Sequence, residues 1–359
     1  MVISDSFNGI FKGKTVLIAG HTGFKGSWLS IWLRELGANV IGYALDPYTN
    51  DDNFVVTHLS EKMNDIRGDI RDYDKLKSVF DRYNPEFVFH LAAQPLVRDS
   101  YEDPRLTYET NVMGTVNVLE SARLSPSVKV IINITSDKCY ENREWIWGYR
   151  ESDPMGGYDP YSSSKGCSEL ITSAYRNSFF NPNELNEHGK SVASVRAGNV
   201  IGGGDWQVDR IIPDCIRKLQ NDESIEIRNP DSIRPWQHVL EPLSGYLLLA
   251  SKMYSNPKKY CGAWNFGPDY DASITVKELV NKLIELWGSG KWIDVSNGKK
   301  VHEAKLLRLD ISKAIYELNW RPKLTVYEAL KYTVEWYKKY LESKNMYDLI
   351  VKQINRFIK

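Results

Sequence analysis

Tyr161-Ser-Ser-Ser-Lys165 sets a phenol and an amine four residues apart. On a helix that spacing places both on one face, where the ammonium can lower a phenol pKa that is about 10 when free. A phenolate is what removal of hydride from an alcohol requires, because it takes the hydroxyl proton as hydride leaves the same carbon. The stretch TSDKCYEN, after the apolar run VKVIINI, carries further candidates. Thr135 offers a hydroxyl beside the phenol for a sugar oxygen, while Asp137 and Lys138 offer a proton donor and an acceptor. Each motif alone has a plain alternative, a solvated helix face for the first and turn chemistry for the second.

A third motif gives these two their meaning. Gly20-His-Thr-Gly23-Phe-Lys-Gly26 lies between the apolar run TVLIA and an amphipathic segment. Such glycines let the backbone turn sharply and approach a pyrophosphate, which free N–H groups and the positive end of the following helix receive. Thr22, Phe24 and Lys25 fill the turn between them, and Lys25 brings a positive charge that can serve a phosphate. Asp46 lies twenty residues past Gly26 at the end of the next apolar run. There its carboxylate can accept from the adenosine ribose and repel a 2′-phosphate, which favours NAD over NADP, although Asp-Pro also begins turns. Lys165 then has a second use, holding the nicotinamide ribose.

Groups so far apart in sequence need a scaffold that collects them at one edge. From residue 14 short apolar runs alternate with amphipathic segments: TVLIAG, SWLSIWLREL, NVIGYALD, DYDKLKSVFDRY, FVFHLAA, TYETNVMGTVNVLESARL and VKVIINITS. That alternation predicts an α/β fold, a doubly wound Rossmann-type parallel sheet covered on both faces. Leu29, Trp32, Leu33 and Leu36 recur as one stripe of the first helix. Asp159 and Pro160 suit the cap and first position of another helix, and SVASVRAG supplies a further strand. After about residue 198 the alternation breaks, with helices predicted near 210–220, 238–253, 276–287 and 325–342. The domain reading is a dinucleotide-binding domain over 1–197, with a return to it near 236–267, and a smaller interleaved substrate lobe over 198–359. In such sheets ligands bind outside the carboxyl ends of the strands, where Gly20 to Gly26, Leu91 to Gln94, Thr135 to Lys138 and Arg196 to Asn199 are expected to meet.

Composition narrows the classes. Of 359 residues, 46 are basic and 46 acidic, interspersed along the chain, so neither a nucleic-acid nor an anionic-membrane surface is implied. No apolar run approaches the roughly 20 residues of a spanning helix and no leader pattern opens the chain, so a soluble, cytoplasmic protein is expected. The four cysteines form neither a CxxC pair nor a metal-ligand spacing, so no metal is expected. The loop over 144–160 is long and aromatic; Trp145 and Trp147 in it, and Trp206 beyond it, can stack on a pyrimidine or pack a core.

Taken together, GHTGFKGSWL, ALDP, GDIRD, HLAAQPLVRDSY, NVMGTVNVLE, TSDKCYEN, GYRESDPMGGYDPYSSSKG, RAGNVIGGGDW and RPWQHV resemble the extended short-chain dehydrogenase/reductases. Within them the likeness, which runs through nearly the whole chain, is to the nucleotide-sugar 4,6-dehydratases. The Asp137-Lys138 pair, where relatives acting on dTDP-glucose carry Asp-Glu, is the arrangement of the group acting on CDP-glucose. The resemblance implies an NAD-dependent lyase that oxidises C4 of the hexose, eliminates water across C5 and C6, and returns hydride to C6. Asp69 and Ile70 would lie by the adenine, and Leu91, Ala92 and Ala93 would line the cofactor. Gln94, Asn199, Arg234 and Arg308 would bind the substrate, the last three at its diphosphate. It also implies a homodimer or homotetramer paired through helices around 105–124 and 160–178. A nucleotide-sugar epimerase or reductase on the same scaffold would use Thr135, Tyr161 and Lys165 without the acid/base pair, and a non-catalytic dinucleotide sensor would use none of them.

Overall fold

The computed structural model describes residues 3–269, 272–296 and 306–359. Its apolar runs become β1 (Thr15–Ala19), β2 (Asn39–Ala44), β3 (Asn64–Arg67), β4 (Phe87–His90), β5 (Val130–Ile134) and β6 (Ser191–Ala197). A seventh strand, Gly262–Phe266, lies beyond β6. The sheet order is Gly262–Phe266, β6, β5, β4, β1, β2, β3, and every pair is parallel. The winding reverses between β1 and β4, which opens a crevice at their carboxyl ends. Register keeps that edge level: Ala19 lies beside Tyr43 and His90, and Ile134 beside Val195.

β4, β5 and β6 are buried along their whole length, as strands covered on both faces have to be. Side chains alternate between two cores. Leu17, Ile41, Val88 and Ile131 meet Val118 and Leu119 of the helix Gly114–Leu124 on one face, while Val16, Ile18, Phe89 and Ile132 join the larger core on the other.

The first helix, α1 (Phe24–Glu35), departs from a one-stripe reading. Trp28, Ser30 and Ile31 are buried as well as Leu29, Trp32 and Leu33, because the helices Leu240–Ser255 and Met346–Ile358 also pack on it. The second of these adds Phe357 edge-on to Trp32, with ring centroids 6.0 Å apart, and a Tyr347 hydroxyl that donates to Glu35 over 2.7 Å. Residues 104–124 are likewise not one regular helix: a π turn over Glu109–Met113 interrupts them. The extra residue turns Asn111 inward, where its amide accepts from Gln94 N (2.8 Å) and donates to Ser164 Oγ (2.8 Å).

After β6 the chain forms three two-stranded pieces, Val200–Ile201 with Gln237–His238, Ile233–Pro235 with Ser273–Thr275, and Ile225–Ile227 with Trp292–Asp294. Between these excursions Leu240–Ser255 and Gly262–Phe266 lie back on the sheet, so the chain before and after β6 shares one core. Among the described residues no helix is long and apolar enough to cross a membrane.

The seam between Gly203 and the helix that carries Trp336 is tight: an added Cβ would stand 2.0 Å from Cγ of that buried side chain. Overpacking of that kind costs about 1–3 kcal/mol, so Gly203→Ala is expected to lower the urea midpoint of unfolding without changing the m-value; an unchanged midpoint would mean the seam is loose.

Candidate active site

The glycine turn is a cradle that side chains would fill. Gly20 has φ +94°, and a Cβ there would lie 2.6 Å from Ala92 N; at Gly26 it would lie 2.0 Å from Gly20 O. At Gly23, which opens α1, an added Cβ meets only Gly20 O, at 3.6 Å. The space beside Gly23 is therefore open. Thr22 ties the turn to the end of β2, its hydroxyl donating to Leu45 O over 3.0 Å. Phe24 leans across the crevice onto Gly202. The Lys25 amine is pushed down to about 8 by burial and by the Arg210 charge, and Asp137 and Asp205 act against that. Its charge thus stands between the turn and Asp137.

Asp46 is exposed at the end of β2, with Oδ1 3.5 Å from Arg67 Nε. Asp69 is gripped by Arg71, with 2.7 Å between Oδ2 and Nη2, a hydrogen bond that holds its carboxyl below the usual range. Ile70 is buried beneath Gly114. Asp69, Arg71, Asp72, Glu109 and Met113 line an open depression of about 450 Å³. Leu91 continues β4, its N–H donating to Ala19 O over 2.7 Å, and leads through Ala92 into Ala93 beside the glycine turn. Gln94 departs from a ligand-facing position. Its side chain folds back to accept from Leu96 N (2.5 Å) and to donate to Leu96 O (3.0 Å) and Thr107 Oγ1 (3.1 Å). It shapes the loop instead of projecting from it.

Tyr161 and Lys165 ride on the helix Pro160–Ser178, whose first turn Asp159 caps by accepting from Ser162 N over 2.8 Å. Thr135 requires correction. Its hydroxyl is buried and donates to Glu169 Oε1 over 2.5 Å, away from the phenol. The hydroxyl that acts on the phenol is that of Ser136, and it also donates to Asp137 Oδ1 over 2.9 Å. The cause is strand alternation: Asn133 and Thr135 both face the helix, Asn133 donating to Thr172 Oγ1 over 2.7 Å, so the next residue takes the other direction.

Electrostatics also differ from the sequence expectation. Burial pushes the Tyr161 phenol up to about 12, with Ser136 and the Arg210 charge pulling against it. Burial and Lys25 bring Lys165 down to about 8, opposed by Cys139 and Glu169. Burial likewise raises the Asp137 carboxyl, against Lys138, Ser136 and Lys25. Tyr161 and Asp137 are therefore biased toward their neutral forms. Gly198 makes room for this carboxyl, since a Cβ there would lie 2.7 Å from Asp137 Oδ2. Lys138 is exposed, with Nζ 5.9 Å from the centroid of the Tyr161 ring.

Asn199 follows β6, its carbonyl accepting from Gln237 N over 3.1 Å. Arg234 lies on the strand Ile233–Pro235 and donates to Ile233 O over 2.9 Å. The carbonyl of Arg308 accepts from Tyr149 N over 2.8 Å, which ties its segment to the long loop. Two residues join the site that sequence reasoning passed over, Ser136 and Arg210. Arg210 is anchored by Asp205 at 2.8 Å and acts on Tyr161 and Lys25; alternation along β5 would have found Ser136, whereas nothing local marks Arg210. Trp206 belongs to the core against Tyr337, with centroids 5.1 Å apart, and Trp147 is exposed. Among the described residues no three His, Cys, Asp or Glu side chains are grouped to hold a metal.

Comparison with known proteins gives the family. The model of the GDP-mannose 4,6 dehydratase family matches residues 17–333. A CDP-glucose 4,6-dehydratase of Salmonella typhimurium is 52% identical over 349 residues, covering 97% of each chain. Among solved structures, the dTDP-glucose 4,6-dehydratase of Bacillus anthracis in complex with NAD superposes with a TM-score of 0.75 at 23% identity, over 93% of this chain and 100% of that one. The UDP-glucose 4-epimerase of Thermotoga maritima with UDP-glucose does so with 0.73 at 25%, over 91% and 99%. Folds alone thus leave dehydratase and epimerase side by side, and it is the family match and the full-length likeness that separate them: the chain belongs to the GDP-mannose 4,6 dehydratase family, the nucleotide-sugar dehydratases among the extended short-chain dehydrogenase/reductases.

Proposed function

We propose that this chain converts CDP-glucose to CDP-4-keto-6-deoxyglucose, using NAD as a hydride store that each turnover restores. The observation that carries this reading is the meeting of Tyr161, Ser136, Asp137 and Lys138 at one strand end, in a chain so similar to an enzyme of that name. The turn from Gly20 to Gly26 suits a dinucleotide because its close approaches exclude any Cβ while Gly23 stays open. Asp46 is exposed where a ribose would lie, and Asp69, Ile70, Leu91, Ala92 and Ala93 line the way to it. NAD bound there supplies the acceptor for the C4 hydride and its donor to C6, and its positive ring favours the phenolate.

The residues supply the protons. Tyr161 takes the proton of the 4-hydroxyl, with Ser136 and Arg210 supporting its anionic form. The new ketone makes the C5 hydrogen acidic, and Lys138 removes it. Lys138 is exposed, with Nζ 5.9 Å from the centroid of the Tyr161 ring, so a hexose held at the phenol lies within its reach. Asp137, raised by burial, is kept as an acid and protonates the departing 6-hydroxyl. Lys138 then returns a proton to C5. One proton too many now rests on Tyr161 and one too few on Asp137, and Ser136 stands between them, donating to Asp137 over 2.9 Å; its hydroxyl is the group suited to carry the difference. Arg210, Arg234, Arg308 and Asn199 are the donors for the diphosphate, and Trp147 is available to the pyrimidine. Exposed Tyr108, Met113, Leu124 and Leu170 on the helices around 105–124 and 160–178 favour pairing of two copies there.

Incubation with CDP-glucose and NAD is expected to give a product that has lost water and absorbs in base as a 4-keto sugar; a CDP-hexose of unchanged mass would mark an epimerase. Tyr161→Phe is expected to lower kcat by about a thousandfold, within the range of a general base. In Asp137→Asn, NADH should form on mixing and persist, with water loss slowed about a hundredfold; elimination at the wild-type rate in a single turnover would remove Asp137 as the acid. The pH dependence differs between the two steps. The phenol must lose a proton and is held up at about 12, so NADH should appear faster as pH rises. Elimination needs Asp137 with its proton and Lys138 without one, so NADH decay should pass through a maximum instead of rising steadily with pH; rapid mixing across pH 6 to 9 separates the two, and a parallel response would contradict the assignment.

A further inference from the structure

Glu169 continues the catalytic face of the helix Pro160–Ser178. Tyr161, Lys165 and Glu169 succeed one another at intervals of four, so they stand in one row. The Glu169 side chain is only 4% exposed, and both carboxylate oxygens are committed. Oε1 accepts from Thr135 Oγ1 over 2.5 Å; Oε2 accepts from Ser194 Oγ over 2.6 Å and from Arg196 Nη2 over 2.7 Å. Those donors come from the ends of two neighbouring strands, for Thr135 follows β5 and Ser194 and Arg196 lie on β6. Arg196 is held in turn by the Tyr140 hydroxyl at 2.5 Å and the Glu151 carbonyl at 3.2 Å. Burial alone would raise the Glu169 carboxyl, yet Arg196 and these hydrogen bonds hold it below the usual range.

A buried ion pair is a poor source of stability, because desolvation offsets most of its attraction. Its geometry is more informative. One carboxylate on the helix clamps the residue immediately before Ser136, and Ser136 is the residue that must meet the phenol two helical turns back. Any slide of the helix along β5 would part Ser136 and Asp137 from Tyr161.

We propose that Glu169 is a positioning residue for the first hydride transfer: through Thr135 it sets the register between the helix of Tyr161 and the strand end of Ser136 and Asp137. The inference rests on the reading of Tyr161 as the base. Glu169→Gln keeps the shape but discards the charge that satisfies Arg196, and this variant can fail to fold, so Thr135→Val, which removes only the clamped hydroxyl, is the decisive companion. With NAD-loaded enzyme and CDP-glucose, Thr135→Val should slow NADH formation in a single turnover about tenfold or more, as small misplacements of reacting groups do. KM should stay within about twofold, the melting temperature should fall by a few degrees at most, as the loss of a donor to the buried Glu169 Oε1 entails, and the pH profile of that step should move to higher pH as Ser136 loses its place. Thr135→Val combined with Ser136→Ala should be no slower than Ser136→Ala alone, since both act on one linkage. A wild-type rate in Thr135→Val, or losses that multiply in the double variant, would overturn the proposal. Wild-type enzyme that does not dehydrate CDP-glucose would instead overturn the reading beneath it.

Discussion

The docking of one helix on one strand end is the constraint on which the site depends. The helix Pro160–Ser178 presents Ser168, Thr172 and Glu169 to the sheet, and Ser164 to the π turn over Glu109–Met113, where an ordinary helix presents leucines. Each has a partner in place: Asn111 donates to Ser164, Asn133 to Ser168 and Thr172, and Thr135 to Glu169. Apolar side chains of similar volume would fill the same space and tolerate sliding, because dispersion has little directionality. Hydrogen bonds do not tolerate it, and a buried hydroxyl or amide left without a partner costs roughly 1–3 kcal/mol. The polar interface therefore gives up little stability and fixes the helix at one position, which is what a phenol that must meet a hydroxyl and a substrate oxygen needs.

The same burial that fixes the groups sets their charges. Tyr161 and Asp137 are both driven toward neutrality by exclusion of water, while Lys25, Lys165 and Arg210 bring positive charge from three different elements. In a chain with 46 basic and 46 acidic residues this local excess has no counterpart in the net charge. It is suited to a ligand carrying a diphosphate, and in the proposed reaction its field would also favour the oxyanion at C4 as the hydroxyl proton leaves. At Asp137 the cost of desolvating a carboxylate outweighs the pull of Lys138 and Lys25, which is how a carboxyl is biased toward its protonated form among amines.

Much of this was legible in the sequence because it is local. The glycine turn, the Tyr161/Lys165 spacing, the cap at Asp159 and the alternation of strands and helices each follow from a few adjacent residues. What was not legible depends on partners far along the chain. Thr135 was read as facing the phenol because it closes the apolar run, but Glu169, 34 residues on, claims its hydroxyl. Gln94 was read as reaching a ligand, but Thr107 and the Leu96 backbone claim its amide. Arg210 carries no motif, and only the path of the chain after β6 brings it to Tyr161. The helix Met346–Ile358 was available in the spacing of Met346, Ile350, Ile354 and Phe357, all buried. Its consequence, a first helix enclosed on nearly every side, was not.

The crevice must still admit a substrate, and its contacts across the mouth are of a different kind from those beneath. Asp209, with φ +60°, receives Arg98 at 2.9 Å from the cofactor side and Arg228 at 3.4 Å from the other lobe. Both arginines are at least half exposed to solvent, and exposed ion pairs contribute about 0–1 kcal/mol. Such a bridge can order the loop that carries Arg210 without barring entry. The interior pair Glu169–Arg196 is the reverse case, closed to water and costly to break. Placing the weak links at the mouth and the strong one behind the catalytic face lets a ligand rearrange what it touches while leaving the register of Tyr161 and Ser136 unchanged.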